Sequence, residues 1–213
     1  MPVDSLDDLP HQQHPWMPPE QWQFDFWSPD CDLGGWVHFA YDSESRSGWY
    51  VAALLGAQRP LVLVVDPHIR IELLSPYLEF RAEGIWAQHV CETPLRHWTV
   101  GLEAFGVTLD EIEDAMGDQW GTRIGVGLDL EWEYAAEPQE NDEGFSQKCF
   151  VTGEVLIDDM SFEINSKGNR TRSWIASSQT VDDLDGIGIR IGNRVLKIDP
   201  SFTGERWRGL VLG

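Results

Sequence analysis

Asp129, Glu131 and Glu133, in the order D-x-E-x-E, are the residues of this chain whose spacing most suggests chemistry. On a strand, positions i, i+2 and i+4 share a face, with neighbours about 6.6 Å apart. Carboxylates held that close push one pKa upward, which is how a general acid is made. Arg123 has the same parity and can hold a second carboxylate ionised. Glycosidases also work with paired carboxylates, so glycoside hydrolysis or sugar binding is one reading. A merely solvated acidic face is the plain alternative. His38, between Trp36 and Ala40, is the other candidate. It is either a proton donor or acceptor in a pocket, or a core histidine with one nitrogen satisfied.

The carboxylates sit in Gly121–Tyr134, GTRIGVGLDLEWEY. Its even positions, Ile124, Val126, Leu128, Leu130, Trp132 and Tyr134, are apolar, and its odd positions are glycine or charged. That period of two describes a strand buried on one face. At ~3.3 Å per residue it spans about 40 Å, which suits a curved sheet or barrel wall. Whether the polar face looks inward or outward decides between two sets of catalytic groups. Inward, Asp129 and Glu131 lie beside Arg123. Outward, the chemistry must come from elsewhere, His38 first.

Composition narrows the partners. The 213 residues carry 36 acids against 15 bases, a formal net charge of −21. This opposes nucleic acid and anionic membrane surfaces as partners. No apolar run is long enough for a membrane span. The N-terminal segment lacks the charged and apolar regions of a signal peptide, so the expected location is cytoplasmic. Cys31, Cys91 and Cys149 are widely spaced, and the histidines are scattered. Neither a disulfide framework nor a metal site is expected. Phosphate-loop, dinucleotide-loop, HExxH and GxSxG patterns are missing, so no cofactor is expected. The eleven tryptophans offer flat apolar walls for a ligand. Trp36, Trp49, Trp86, Trp98, Trp132 and Trp174 are the candidates.

The elements that must position these groups are nearly all strands. Residues 1–20 are rich in proline and read as an irregular arm, and 21–213 as a single domain. Strands are expected at Gln21–Trp27, Gly34–Tyr41, Trp49–Leu55, Leu61–Val65, Tyr77–Cys91 and Arg96–Val107. In the second of these both faces are apolar, and in the fifth Trp86 and Gln88 keep the parity of Leu78. Leu109–Gly117 is the one expected helix, with Asp110 as its cap. Gln147–Ile157 and Met160–Ile164 form a hairpin, followed by a turn at Asn165–Asn169. Ile187–Ile191 and Arg194–Ile198 form another, closed by Gly192–Asn193, and Trp207–Leu212 is a last strand. The fold class is an all-β antiparallel barrel or sandwich with one short helix.

Three stretches carry a resemblance: FWSPDCDLGGWVHFAY, CETPLRHWTVGLEA leading into the central strand, and QKCFVTGEVLI followed by GNRTRSW. Together they resemble the lipocalin-like hydroxyneurosporene synthase (carotenoid 1,2-hydratase) superfamily. The resemblance implies a calycin-type barrel with an apolar cavity. It also implies action on polyenes or similar lipophilic molecules by cofactor-free hydratases, isomerases or cyclases. A carrier of a hydrophobic small molecule is the alternative. The family's Arg-Asp-His-Ser-Trp-Gly run is replaced here by Arg170, Thr171, Arg172, Ser173, Trp174 and Ile175, which removes its acid and its histidine. Because the family commonly has two barrel-like domains, this chain is expected to be a single barrel or one half completed by homodimerisation.

Overall fold

A computed structural model describes residues 3–11, 19–56, 59–74, 77–174, 187–191 and 194–198. Thirteen strands are present there: β1 Glu20–Ser28, β2 Leu33–Asp42, β3 Ser47–Gly56, β4 Arg59–Leu74, β5 Tyr77–Ala82, β6 Ile85–Thr93, β7 His97–Leu109, β8 Thr122–Tyr134, β9 Gln139–Asn141, β10 Gly144–Ile157, β11 Met160–Ser173, β12 Ile187–Ile191 and β13 Arg194–Ile198. Sequential antiparallel hairpins join β1 through β8. Then β8 pairs with β10, β10 with β11, and β11 returns to β1. The sheet is therefore a closed ring, as the alternating pattern and hairpin turns lead one to expect. No helix among the described residues is long and apolar enough to cross a membrane.

β4 gives the ring two widths. Its first half pairs with β7 through Leu61, Val62 and Leu63, while Arg70–Leu74 pairs with β5. Between the two lies Pro67, which has no N–H to give to a ladder. The ring is thus eight strands round where β4 meets β7, and ten where the β5–β6 hairpin is inserted.

Side chains fill the ring. Trp22, Phe24, Phe39, Tyr50, Phe80, Trp98 and Trp132 are all buried in one cluster with Leu, Val and Ile from every wall. Burying such a side chain contributes roughly 1.5–3 kcal/mol, so this cluster is the main source of stability. A second cluster lies outside the ring, on β2, β3 and β4. It holds Trp36, Ala40, Trp49, Val51 and Ala53, covered by Leu109, Ala115 and Ile189. This is why both faces of β2 are apolar. The β12–β13 hairpin is held here by Gln119, whose amide donates to the carbonyls of Ala115 (2.9 Å) and Arg190 (2.8 Å).

Several expectations are corrected. The helix at 109–117 is a single 3-10 turn, Ile112–Met116, whose N-cap Glu111 gives no side-chain cap. A second 3-10 turn, Ser5–Asp8, lies in the arm and is capped by Asp4. Tyr77–Cys91 is not one strand, because Glu83 and Gly84 form a two-residue turn, with Gly84 at φ +77°. The turn reverses the parity. Ile85, Ala87 and His89 point inward, and Trp86 points outward. Asn165–Asn169 is not a turn either, because β11 runs on to Ser173, paired with β10 throughout and with β1 from Lys167 onward. Gly168 permits this: a Cβ there would lie 2.1 Å from the carbonyl oxygen of Asp25. The expected Gly192–Asn193 turn and the strand Trp207–Leu212 fall outside the described residues.

One end of the ring is sealed by the arm. Asp8, fully buried, forms a two-point ion pair with Arg170, and its Oδ2 accepts from Leu95 N (2.6 Å) and Trp98 Nε1 (3.1 Å). Arg170 Nε donates to Gln147 Oε1 at 2.8 Å. Beside it Arg172 pairs with Glu20 and stacks over Trp22 at 3.7 Å. Glu20 in turn holds the His11 backbone N–H at 3.1 Å.

Two stability predictions follow from this packing. Breaking a buried pair strands a charge, at a cost of about 3–5 kcal/mol, whereas apolar replacement of both partners is close to neutral. Urea unfolding should therefore show a large loss for Asp8→Ala and only partial recovery in Asp8→Leu/Arg170→Met, which still leaves Leu95 N and Trp98 Nε1 without their acceptor. Gly168→Ala should cost at least about 1–3 kcal/mol. Gly125→Ala, where a Cβ meets nothing within 4 Å, should cost none.

Candidate functional site

Strand register builds a polar patch on the outer face of β11, β1, β2 and β3. One row across the sheet reads Asn169, Asp25, Trp36, Ala53, and the next reads Thr171, Gln23, His38, Val51. Trp22, Phe24 and Phe26 occupy the other parity of β1 and point into the ring, which leaves Gln21, Gln23 and Asp25 on this face. Asp25 and His38 are diagonal neighbours, which in an antiparallel pair places them about 7–8 Å apart.

Asp25 is 2% exposed. Its Oδ1 accepts from Asn169 N (3.3 Å) and Asn169 Nδ2 (3.0 Å), while Oδ2 is buried without a partner. Burial pushes the carboxyl up to about 7, against the smaller opposing pull of hydrogen bonding from Asn169 and, less, from the neighbouring Gln23 side chain. His38 Nε2 lies 2.9 Å from Gln21 Oε1, so it carries the proton and leaves Nδ1 a free lone pair. Burial lowers this imidazole to about 3, so it is neutral. It stands edge-on between Trp36 (5.1 Å) and Trp49 (4.8 Å). The Trp36 indole N–H is also unpartnered. An acid that titrates near neutrality, a neutral base and two indole walls thus converge on one face. Such a set can donate a proton, accept one and shelter a positive charge.

The central strand β8 turns its apolar face inward, with Val126, Leu128, Leu130 and Trp132 in the core. Arg123, Asp129, Glu131 and Glu133 are therefore exposed on the outside. Glu131 faces His97 at 3.6 Å, and Arg123 covers the ring of Phe105 at 4.3 Å. The structure brings none of them to His38.

The six tryptophans divide in the same way. Trp36 and Trp49 flank His38. Trp98 and Trp132 are in the core, where their N–H groups reach Asp8 Oδ2 (3.1 Å) and the Asp25 carbonyl (3.2 Å). Trp86 lines an outer cleft of about 620 Å³ near Gly84, and Trp174 stands 5.1 Å from His11 at the sealed end.

Asp25 and Asn169 are site residues that the strand pattern alone did not single out. The available signal was Gln21, Gln23 and Asp25 alternating with aromatics, beside a strand that is apolar on both faces. His89 is mid-strand, fully buried inside the ring, with both nitrogens unpartnered and its imidazole lowered by burial to about 3. Phe80 (4.8 Å) and Phe39 (5.1 Å) pack on it. That packing makes it part of the core.

The buried groups predict opposite pH dependences. Asp25 stands at about 7 folded against 3.8 for the free group, so the folded state binds more protons in that window. Stability then falls as pH rises through it, and Asp25→Asn removes this contribution. Relative to the parent, Asp25→Asn should gain up to about 1.4 kcal/mol per pH unit between about pH 4 and pH 7, and no more above. His89 has the reverse sign. Its contribution is complete above 6.5 and is lost as pH falls toward about 3. Urea midpoints taken across this range check both, and a pH-independent difference for Asp25→Asn contradicts the buried acid.

Nothing matches this chain among curated proteins or among solved structures. One family does match, over residues 4–175, a span that covers the whole ring and its sealing arm but not the β12–β13 hairpin. The chain belongs to that family, DUF7064, described as a domain of unknown function.

Proposed function

We propose that this chain is a cofactor-free enzyme that protonates a lipophilic, unsaturated small molecule on the outer face of β1–β3. It would act as a cyclase, isomerase or hydratase. One observation carries the reading: a buried carboxyl with one oxygen held by Asn169 and the other unpartnered, beside a neutral histidine set between two indoles.

The hydrogen bonds set the direction of proton transfer. Asn169 donates twice to Oδ1 of Asp25, so a protonated Asp25 carries its hydrogen on Oδ2. Donation from Oδ2 to a carbon–carbon double bond gives a carbocation and leaves the carboxylate. The π faces of Trp36 and Trp49 favour such a cation. His38 Nδ1 can then take a proton from the carbon next to the cation, which completes an isomerisation or cyclisation. If it instead takes a proton from a water attacking the cation, the outcome is hydration. A base lowered to about 3 is weak, but a proton beside a carbocation is far more acidic and needs no stronger one. Passing the proton back from His38 to the Asp25 carboxylate closes the cycle.

The test is turnover of a panel of linear isoprenoid alcohols and polyenes, with products resolved by mass-detected gas chromatography. Asp25→Asn should keep ligand quenching of tryptophan emission and lose about 10²–10⁴ in turnover. Saturable binding with no turnover by the parent chain would assign a carrier instead. Equal turnover in Asp25→Asn and the parent would reject this face as the site.

A further inference from the structure

Beside the polar patch lies a groove of about 710 Å³ on the outer face of β1, β11 and β10. Trp27, Pro29 and Phe150 give it apolar walls, and Lys148, Lys167 and Asn169 give it polar ones. Its size is that of a small-molecule site. Register fixes the arrangement. Trp27, Lys167 and Phe150 form one row across three strands, and Asp25, Asn169 and Lys148 form the next. Lys148 and Lys167 are diagonal neighbours, so their strand positions lie about 7–8 Å apart, within reach of one carboxylate between them.

The charge setting is unusual for this chain. Acids outnumber bases 36 to 15, and there are only three lysines, Lys148, Lys167 and Lys197. Two of the three line this groove, and neither forms an ion pair among the described residues. The nearest acids in register are Glu133, opposite Phe150 and exposed, and Asp25, turned toward Asn169. Phe150 is 50% exposed, a large apolar surface left open next to Lys167. Two uncompensated cations flanked by open aromatic surface fit an amphiphile with a single anionic head.

We propose that this groove binds a lipophilic carboxylate, with its head between Lys148 and Lys167 and its chain along Trp27 and Phe150. Asn169 belongs both to the groove wall and to the hydrogen bonds of Asp25. The groove therefore adjoins the proposed acid through Asn169. The inference so rests on the proposed function in one respect: it names the substrate class as an unsaturated lipophilic acid rather than a neutral hydrocarbon. A free small molecule is favoured over a protein partner because the groove is concave, of small-molecule size, and carries its two cations on diagonal neighbours.

Isothermal titration of the full chain with dodecanoate and with dodecanol tests the binding. Dodecanoate should bind saturably and more tightly than dodecanol. Lys148→Gln/Lys167→Gln should weaken dodecanoate at least about tenfold and leave dodecanol unchanged. Arg70→Gln, an exposed cation elsewhere on the sheet, should leave both unchanged. Equal dodecanoate affinity in the double lysine variant overturns the proposal, as does the lack of saturable binding up to about 1 mM, where a contact is worth only about 4 kcal/mol. Self-association that disappears in the double variant would assign the groove to a second copy instead. Asp25→Asn should leave dodecanoate affinity within about twofold, because Asn keeps the acceptor for Asn169. Loss of the Asp25 effect on turnover, with lysine-dependent binding intact, would remove the proposed reaction and leave this site standing. Lysine-independent binding with the Asp25 effect intact would do the reverse.

Discussion

The pairing of β1 with β11, Gln21↔Ser173 through Trp27↔Lys167, is the constraint on which the rest depends. Without it the sheet has two open edges and a half-exposed aromatic core. With it, every strand of the ring finds partners on both sides and the aromatics are enclosed. The same pairing sets Asn169 against Asp25 on the outside, Lys167 against Trp27, and Arg170 against Phe24 on the inside. The condition for it is small. Gly168 must pass the Asp25 carbonyl with no Cβ, and the Trp132 indole N–H takes the same carbonyl from the interior side at 3.2 Å.

Because β1 alternates, its two faces carry separate roles. Trp22, Phe24 and Phe26 go to the core, and Gln21, Gln23 and Asp25 go to the outer patch. The core provides the stabilisation that lets the patch be unfavourable. Raising Asp25 from 3.8 to about 7 corresponds to something on the order of 4 kcal/mol against its ionised form. That is less than the burial of two or three of the core aromatics contributes. The ion pairs at the sealed end play a different part. Desolvating Asp8, Glu20, Arg170 and Arg172 cancels most of their attraction, so they add little net stability. What they do is specify where the arm sits, since Asp8 finds Arg170, Trp98 and the Leu95 N–H together only at that end.

The fold was legible where the pattern had one period and one face. The central strand and the β10–β11 hairpin follow directly from alternation, and so does an antiparallel barrel or sandwich. Legibility failed at short local events that flip or extend a pattern. Glu83–Gly84 is only two residues, yet it reverses the parity of everything after it. It sends Trp86 out and His89 in. Asn165–Asn169, polar and glycine-bearing, has turn composition, but pairing with β10 along its length and with β1 from Lys167 keeps it extended, an instance of tertiary context overriding propensity. The site was half legible. His38 and Trp36 were visible together on one parity of β2, whereas Trp49 joins them only through the β2–β3 register. Asp25 was not, because its importance comes from Asn169, 144 residues away, and from burial that no local pattern records.

The D-x-E-x-E triplet of β8 shows why spacing alone misleads. Its carboxylates share a face, as the period requires, but the face is decided by the other parity. Four large apolar residues on β8 favour the interior by several kcal/mol, and exposed acids lose little by staying in water. The strand therefore orients for its hydrophobic residues and leaves its acids solvated. On β1 the same rule gives the opposite chemical result. The aromatics again take the interior, but on the outer face Asp25 is 2% exposed, held by Asn169 on one side and set against Trp36 on the other. Asp25 is consequently desolvated without leaving the outside of the barrel. An acid in this fold is desolvated where its own strand face is buried, not where acids are densest: Asp25 is buried, and Asp129 and Glu131 stand in solvent.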